Sequence, residues 1–348
     1  MGLYSRLSGA AAAIAVAFGF FAGAPAKATA DDAAIANFYR GKTMDLIIGY
    51  SPGGGYDQYA RLVGRFLGKH IPGNPSIVPR NLPGASSRTA AAFLYAKAPQ
   101  DGTVIGTADQ SLALAQVMGD STLRDIDTGK FGYVGSPTME NNIVITWHKS
   151  KVTDVEKARQ IAVPIGATGG STSSQYPLIM NNLLGTRFEI IMGYPGGNDI
   201  NMAMENGEVD GRGSVNWGSV KPLGWVDKKM INILVQVGLQ REKELPNVPL
   251  LMDFAAKDED KQMLRLISAP TTIGRPIFST PNVPPERLDA LRKAFDAMVK
   301  DPEFLAAAQK EGLLVEPISG KQLEQIVTEI VSTPKDVGAK LAKLIGVQ

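Results

Sequence analysis

The chain has 348 residues, of which 44% are hydrophobic and 20% charged; it is too long for one small domain and apolar enough to bury a core, which sets it apart from disordered sequences. Lys and Arg total 36 against 34 Asp and Glu, a balance that argues against a polyanion such as nucleic acid as partner. There is no cysteine, and His70 and His148 are the two histidines; disulfides, thiolate metal sites, cysteine nucleophiles and a lipid-modified cysteine are excluded, a multi-histidine metal centre has no basis, and no cofactor or metal is expected.

Residues 1–30 read as a secretory signal. Arg6 stands in a short basic region, Leu7 to Ala22 is mostly Ala, Ile, Val and Phe, and Ala28-Thr29-Ala30 supplies an A-x-A cleavage site before Asp31. The apolar run is short for a membrane span. Without Arg6 and Lys27 the remainder carries 34 basic and 34 acidic residues. The expected location is a periplasm, with which the lack of cysteines is compatible.

One unit then recurs: a short apolar strand, a Gly/Ser loop and an amphipathic helix. Leu46-Ile47-Ile48 leads into Ser51-Pro52-Gly53-Gly54-Gly55-Tyr56-Asp57, followed by Tyr59, Leu62, Val63, Phe66 and Leu67 at helical spacing. Ile77-Val78 leads into Asn81–Ser87 and an Ala-rich helix through Tyr95, and Thr103-Val104-Ile105 into Gly106–Ser111 and another helix. Ile161-Ala162-Val163 leads into Gly166–Ser174 and a helix carrying Leu178, Ile179, Leu183 and Leu184. Glu189–Met192 leads into Gly193–Asp199 and a helix ending near Asn206-Gly207. The last third is helical, over Pro285–Val299, Pro302–Glu311 and Lys321 to the end. Strands alternating with helices predict an α/β protein with mixed sheets flanked by helices. Loops at strand carboxyl ends line a crevice in such sheets, and five of them fit two sheets that share one cleft.

These loops resemble the substrate-binding proteins of tripartite tricarboxylate transporters, the Bug family. The residues that carry the likeness are Pro52-Gly53-Gly54-Gly55-Tyr56-Asp57 with Ala60-Arg61 behind it, Asn81-Leu82-Pro83-Gly84-Ala85-Ser86-Ser87, and Pro99-Gln100-Asp101-Gly102. Further along come Gly166 to Ser174, Tyr194-Pro195-Gly196-Gly197, Gly207-Glu208-Val209-Asp210, Pro281–Pro285 and Asp301-Pro302-Glu303. Each motif is weak alone, and their order covers nearly the whole mature chain. The sequence departs from the family pattern at Leu82, at Ser86-Ser87, where glycines are usual, and at Tyr56.

The resemblance implies a two-lobed periplasmic binding protein of type II fold, joined by two crossover segments near Ser136–Asn141 and Ala269–Arg275. Lobe 1 would be residues 31–136 and 273–348, the latter with the C-terminal helices, and lobe 2 residues 137–272. It implies a monomer that closes on a small organic acid and delivers it to membrane permease subunits. The ligand-binding set this implies is Gly53, Gly54, Gly55, Tyr56 and Asp57 with Ala85 and Ser86 on one jaw, Thr168, Gly170, Ser171 and Ser173 on the other, and Tyr194, Gly197 and Asp199 beside the distal part of the ligand. Such a Gly-lined pocket would hold an anion by backbone dipoles and hydroxyls, with no permanent counter-charge.

Asp57 also reads as a helix cap that pairs with Arg61, and Asp199 as a cap. Asn216 follows the strand after Asp210 and faces either cleft or surface. Arg212 reads as solvated, Trp217 and Trp225 as packing, His70 as a helix-end residue and His148 as exposed. A ligand sensor that presents its closed form to a signalling partner is the alternative from another class. An α/β hydrolase is a weaker one, because no G-x-S-x-G, G-x-G-x-x-G or Walker loop is present.

Overall fold

The computed structural model describes residues 30–346. The expected signal segment, Ala30 excepted, lies outside the described residues. No helix among the described residues is long and apolar enough to cross a membrane.

Among the described residues there are eleven strands: β1 Thr43–Ile48, β2 Ser76–Asn81, β3 Val104–Thr107, β4 Gly132–Ser136, β5 Asn142–Trp147, β6 Val163–Gly166, β7 Phe188–Ile191, β8 Gly211–Asn216, β9 Ile231–Val237, β10 Ile277–Ser279 and β11 Ile318–Ser319. They form two sheets, of order β11-β4-β10-β3-β1-β2 and β7-β6-β8-β5-β9. In the first, β1 lies parallel to β2 and β3, and β10 runs antiparallel to β3 and β4. In the second, β6 is parallel to β7 and β8, and β5 is antiparallel to β8 and β9. The chain thus leaves the first sheet after β4, builds the second, and returns with β10. Both sheets are mixed and carry helices, as the strand–loop–helix repeat predicts.

Each lobe has its own core. Leu46, Ile48, Ile105 and Val134 pack against Tyr59 and Leu62 of helix Gly55–Phe66 and against Leu291 and Phe295 of helix Pro285–Met298. Ile143, Ile145 and Val215 pack against Ile200, Met204, Trp217 and Trp225, so the two tryptophans are core residues as read from the sequence. A third cluster runs through both lobes and takes in Leu94, Tyr176, Ile179, Val235, Leu323, Leu341 and Ile345. Its C-terminal part belongs to two helices, Gly320–Val331 and Lys335–Ile345. The sequence reading had one helix there. Pro334 ends it, because proline lacks the N–H and its ring clashes with the preceding turn. The last helix lies against helix Thr172–Leu184, where Asn182 Nδ2 donates to the Leu344 carbonyl at 2.7 Å. The returning segment therefore straps both lobes.

Candidate functional site

The site lies between the sheets, at the carboxyl ends of β1, β6 and β8 and the amino ends of three helices. Helix Gly55–Phe66 starts at Gly54, helix Thr172–Leu184 at Ser171, and helix Gly197–Asn206 at Gly196. The first and third have no side-chain cap, so their first N–H groups are left for something else. They face each other closely: a Cβ built on Gly54 would lie 3.4 Å from the Gly197 backbone nitrogen. Three helix amino ends at one cavity sum to a local positive potential, suited to an anion.

Hydroxyls line the second jaw. Thr168, Ser171 and Ser173 bond one another, with Thr168 Oγ1 to Ser171 Oγ at 2.9 Å and Ser171 Oγ to Ser173 Oγ at 2.8 Å. Tyr56 and Tyr50 form the aromatic wall, rings 4.9 Å apart. The Tyr56 hydroxyl accepts from the Gln110 N–H, and the Tyr50 hydroxyl donates to Asp109 at 2.7 Å. Burial pushes the phenol pKa of both well above its ordinary value.

The jaws are closed on each other. Ser86 Oγ meets Thr168 Oγ1 at 3.0 Å, Arg88 Nη2 donates to the Gly170 carbonyl at 2.6 Å, the Ser51 N–H donates to the Pro195 carbonyl at 3.2 Å, and Ser51 Oγ donates to Asp199. Only about 40 Å³ is accessible to water between them. Opening must precede entry of an organic ligand.

Seven expected residues line this cavity: Gly54, Gly55, Tyr56, Thr168, Ser171, Ser173 and Gly197. The other seven stand around it. The Gly53 N–H is spent on Asp57, and Gly170 presents its carbonyl to Arg88. Ser86 and Asp199 make the cross-jaw bonds just given, and Ala85 is exposed. Tyr194 packs over Gly166 toward the second core. Ala85, Ser86 and Ser87 have φ of 45°, 52° and 68°, a left-handed run of three in which glycine would be unstrained. The serine side chains there are engaged: Ser86 bridges the jaws, and Ser87 Oγ accepts from the Asp109 N–H at 2.7 Å.

Asp57 is the expected cap. It accepts from Gly53 N–H, Arg61 Nε and Asn81 Nδ2, all within 2.9 Å. Burial works to raise its pKa, and these donors outweigh it, so its carboxyl titrates below the usual range. Its contribution to stability is therefore complete above the unfolded value of about 3.9 and lost as pH falls through the lower folded value. Urea midpoints measured from pH 7 down through that window should fall less steeply for Asp57→Asn than for the parent protein. Parallel profiles would contradict this.

Two charges correct the expectation of a pocket without permanent counter-charge. Arg275 lines the cavity and pairs with Glu140 at 2.9 Å, side chains 2% and 1% exposed. It also donates to Ser219 and lies 4.5 Å from the Tyr59 ring centroid. Arg212, read as solvated, also lines the cavity. Its Nη1 donates to the Gly197 carbonyl at 3.2 Å and to Asn201 Oδ1 at 3.0 Å, and its buried Nε has no partner. Burial and the charge of Arg275 pull its pKa down to about 10.

Sequence reasoning also missed Tyr50, Asp109, Ser214 and Ser219. One signal was available. In β8, Arg212, Ser214 and Asn216 alternate with Gly211, Gly213 and Val215, a period of two that puts the polar set on one face. That face is the cavity wall.

No protein-family model matches the chain, and no curated protein matches it in sequence. Solved structures do match. The periplasmic binding protein BugD superimposes with a TM-score of 0.70 at 17% identity, over 89% of this chain and 99% of that one. MatC from Rhodopseudomonas palustris with bound malate gives 0.68 at 18%, over 85% and 99%. An R. palustris protein with adipate gives 0.67 at 19%, over 88% and 98%. The fold is thus that of two-lobed periplasmic solute-binding proteins.

Proposed function

We propose that this protein is a periplasmic solute receptor of the Bug type, which captures a small organic carboxylate between its lobes and delivers it to the membrane permease of a tripartite tricarboxylate transporter. It acts as a monomer without cofactor and does not turn its ligand over. Its lobes comprise residues 31–136 with 273–348, and 137–272.

The observation that carries this reading is the meeting of the uncapped helix starts at Gly55 and Gly197 with the hydroxyl loop Thr168–Ser173 around one closed cavity. A carboxylate is the chemistry these donors recognise. The malate and adipate in the structural neighbours support the same ligand class. A hydrolase is disfavoured by the histidines: His70 bonds Asp301 and His148 bonds the Met230 carbonyl, and neither lines the cavity. Gly55, Tyr56, Thr168, Ser171, Ser173 and Gly197 are assigned to the ligand, with Ser86 and Asp199 closing the jaws over it.

A thermal-shift panel of C4–C6 dicarboxylates, citrate, acidic amino acids and aromatic acids tests the reading. An acid at ~100 times its dissociation constant should stabilise the protein by ~2.7 kcal/mol and be recovered unchanged. A silent panel on folded, ligand-free protein would contradict carboxylate capture, and recovery of a converted product would contradict a receptor.

A further inference from the structure

Arg212 is placed by β8 so that its guanidinium lies over the amino end of helix Gly197–Asn206, a position already positive through the helix dipole. A cation there is disfavoured unless something compensates it. Among the described residues no carboxylate comes within ion-pairing distance of Arg212, whereas Arg275 in the same cavity has Glu140. The acid in the cavity wall, Asp109, is committed elsewhere: it accepts from the Tyr50 hydroxyl and from the Ser111 N–H and hydroxyl.

The fork itself is half used. Nη1 is taken by Gly197 and Asn201, while Nε is buried without a partner. Nη2 makes no hydrogen bond among the described residues. The Nε–Nη2 edge is the one that grips a carboxylate with two parallel N–H···O bonds. Gly197 keeps this edge in place, since a Cβ there would overlap Nη2. Arg212 lines the cavity, which is where a ligand would lie.

We propose that Arg212 is a specificity-determining residue that reads a second anionic group, so that the site selects organic dianions over monoanions. The inference rests on the proposed capture of carboxylates. One carboxylate sits on the hydroxyl jaw of Thr168, Ser171 and Ser173, and the other on the free Nε–Nη2 edge. A monoanion leaves that buried donor edge unpaired, which is the source of the discrimination.

The test compares each diacid with its monoamide, which has the same length and one charge less: succinate with succinamate, glutarate with glutaramate, and adipate with adipamate, by calorimetry on the purified protein at pH 7. For the length that binds best, the diacid should bind at least about 10-fold more tightly than the monoamide, the effect of one charge-assisted pair. Arg212→Gln should bring the two within about threefold, by weakening the diacid and leaving the monoamide unchanged. Arg212→Lys, which keeps the charge and loses the fork, should retain part of the preference. Equal binding of diacid and monoamide by the parent protein, or an undiminished preference in Arg212→Gln, overturns the inference while leaving carboxylate capture intact. Should Arg212→Gln fail to fold, the parent comparison and Arg212→Lys decide. No binding of any member would overturn both the inference and the reading on which it rests.

Discussion

Glu140→Ala is expected to cost about 3–5 kcal/mol of folding stability, a large part of the 5–15 kcal/mol usual for a folded protein. Glu140 and Arg275 are both fully buried, on the two segments by which the chain leaves and re-enters the first sheet. The carboxylate takes two guanidinium donors from Arg275, at 3.1 and 2.9 Å, and the Gly218 N–H. Its removal leaves a buried cation faced by the rings of Tyr59 and Tyr56, which supply far less than a carboxylate. The penalty comes from the orphaned charge, and the double substitution Glu140→Leu with Arg275→Met should recover most of it. Urea unfolding of the parent, single and double variants gives the three values. A single-variant loss below about 1 kcal/mol, or a double variant as unstable as the single, would contradict the account.

Gly55→Val should leave the fold intact and abolish most binding. Gly55 opens its helix with an ordinary backbone conformation, so the main chain accepts a side chain. A Cβ there, however, overlaps Ser219 Oγ and lies 2.7 Å from Arg275 Nη1. Ser219 belongs to the second lobe, so the added bulk is wedged between the jaws. Overpacking of this kind costs about 1–3 kcal/mol, charged here against the closed state. Apparent affinity falls with the closed population, by about 10- to 100-fold for the best acid of the panel. The unfolding temperature without ligand should move by only a few degrees. Unchanged affinity in a folded Gly55→Val protein would show that the jaws do not close on the ligand in this way.

The parts of the site legible in the sequence were those set by local rules. A glycine run between an apolar strand and an amphipathic helix signals a helix amino end, and the loops holding Gly54–Gly55, Thr168–Ser173 and Gly197 were found by it. The parts that were not legible depend on register between distant strands. Arg212 pairs with Gly166 of β6 and Ile145 of β5, and only that pairing turns its side chain into the cavity. Arg275 is the sole charge between Pro270 and Pro285, a signal that a buried role was waiting, but its partner Glu140 is 135 residues away. Strand β5 and its edge neighbour β9 were not legible, because β5 is buried throughout and shows no alternation. The strand expected at Ile161–Val163 begins instead at Val163, since the Ile161 N–H closes the preceding helical turn on the Lys157 carbonyl. The uses of Ser86 and Ser87 could not be read from a family pattern that has glycine there; they follow from Thr168 and Asp109 arriving opposite them.

The central claim is that the closed cavity holds an organic anion by its charge. Calorimetric titration of the purified protein with the most stabilising acid, beside the ester of that acid with every carboxylate methylated, tests it directly. The account predicts saturable binding of one acid per protein and at least a 100-fold weaker response to the ester, which presents no anion to the helix amino ends and to Arg212, a loss of about 2.8 kcal/mol. Equal binding of acid and ester would contradict it.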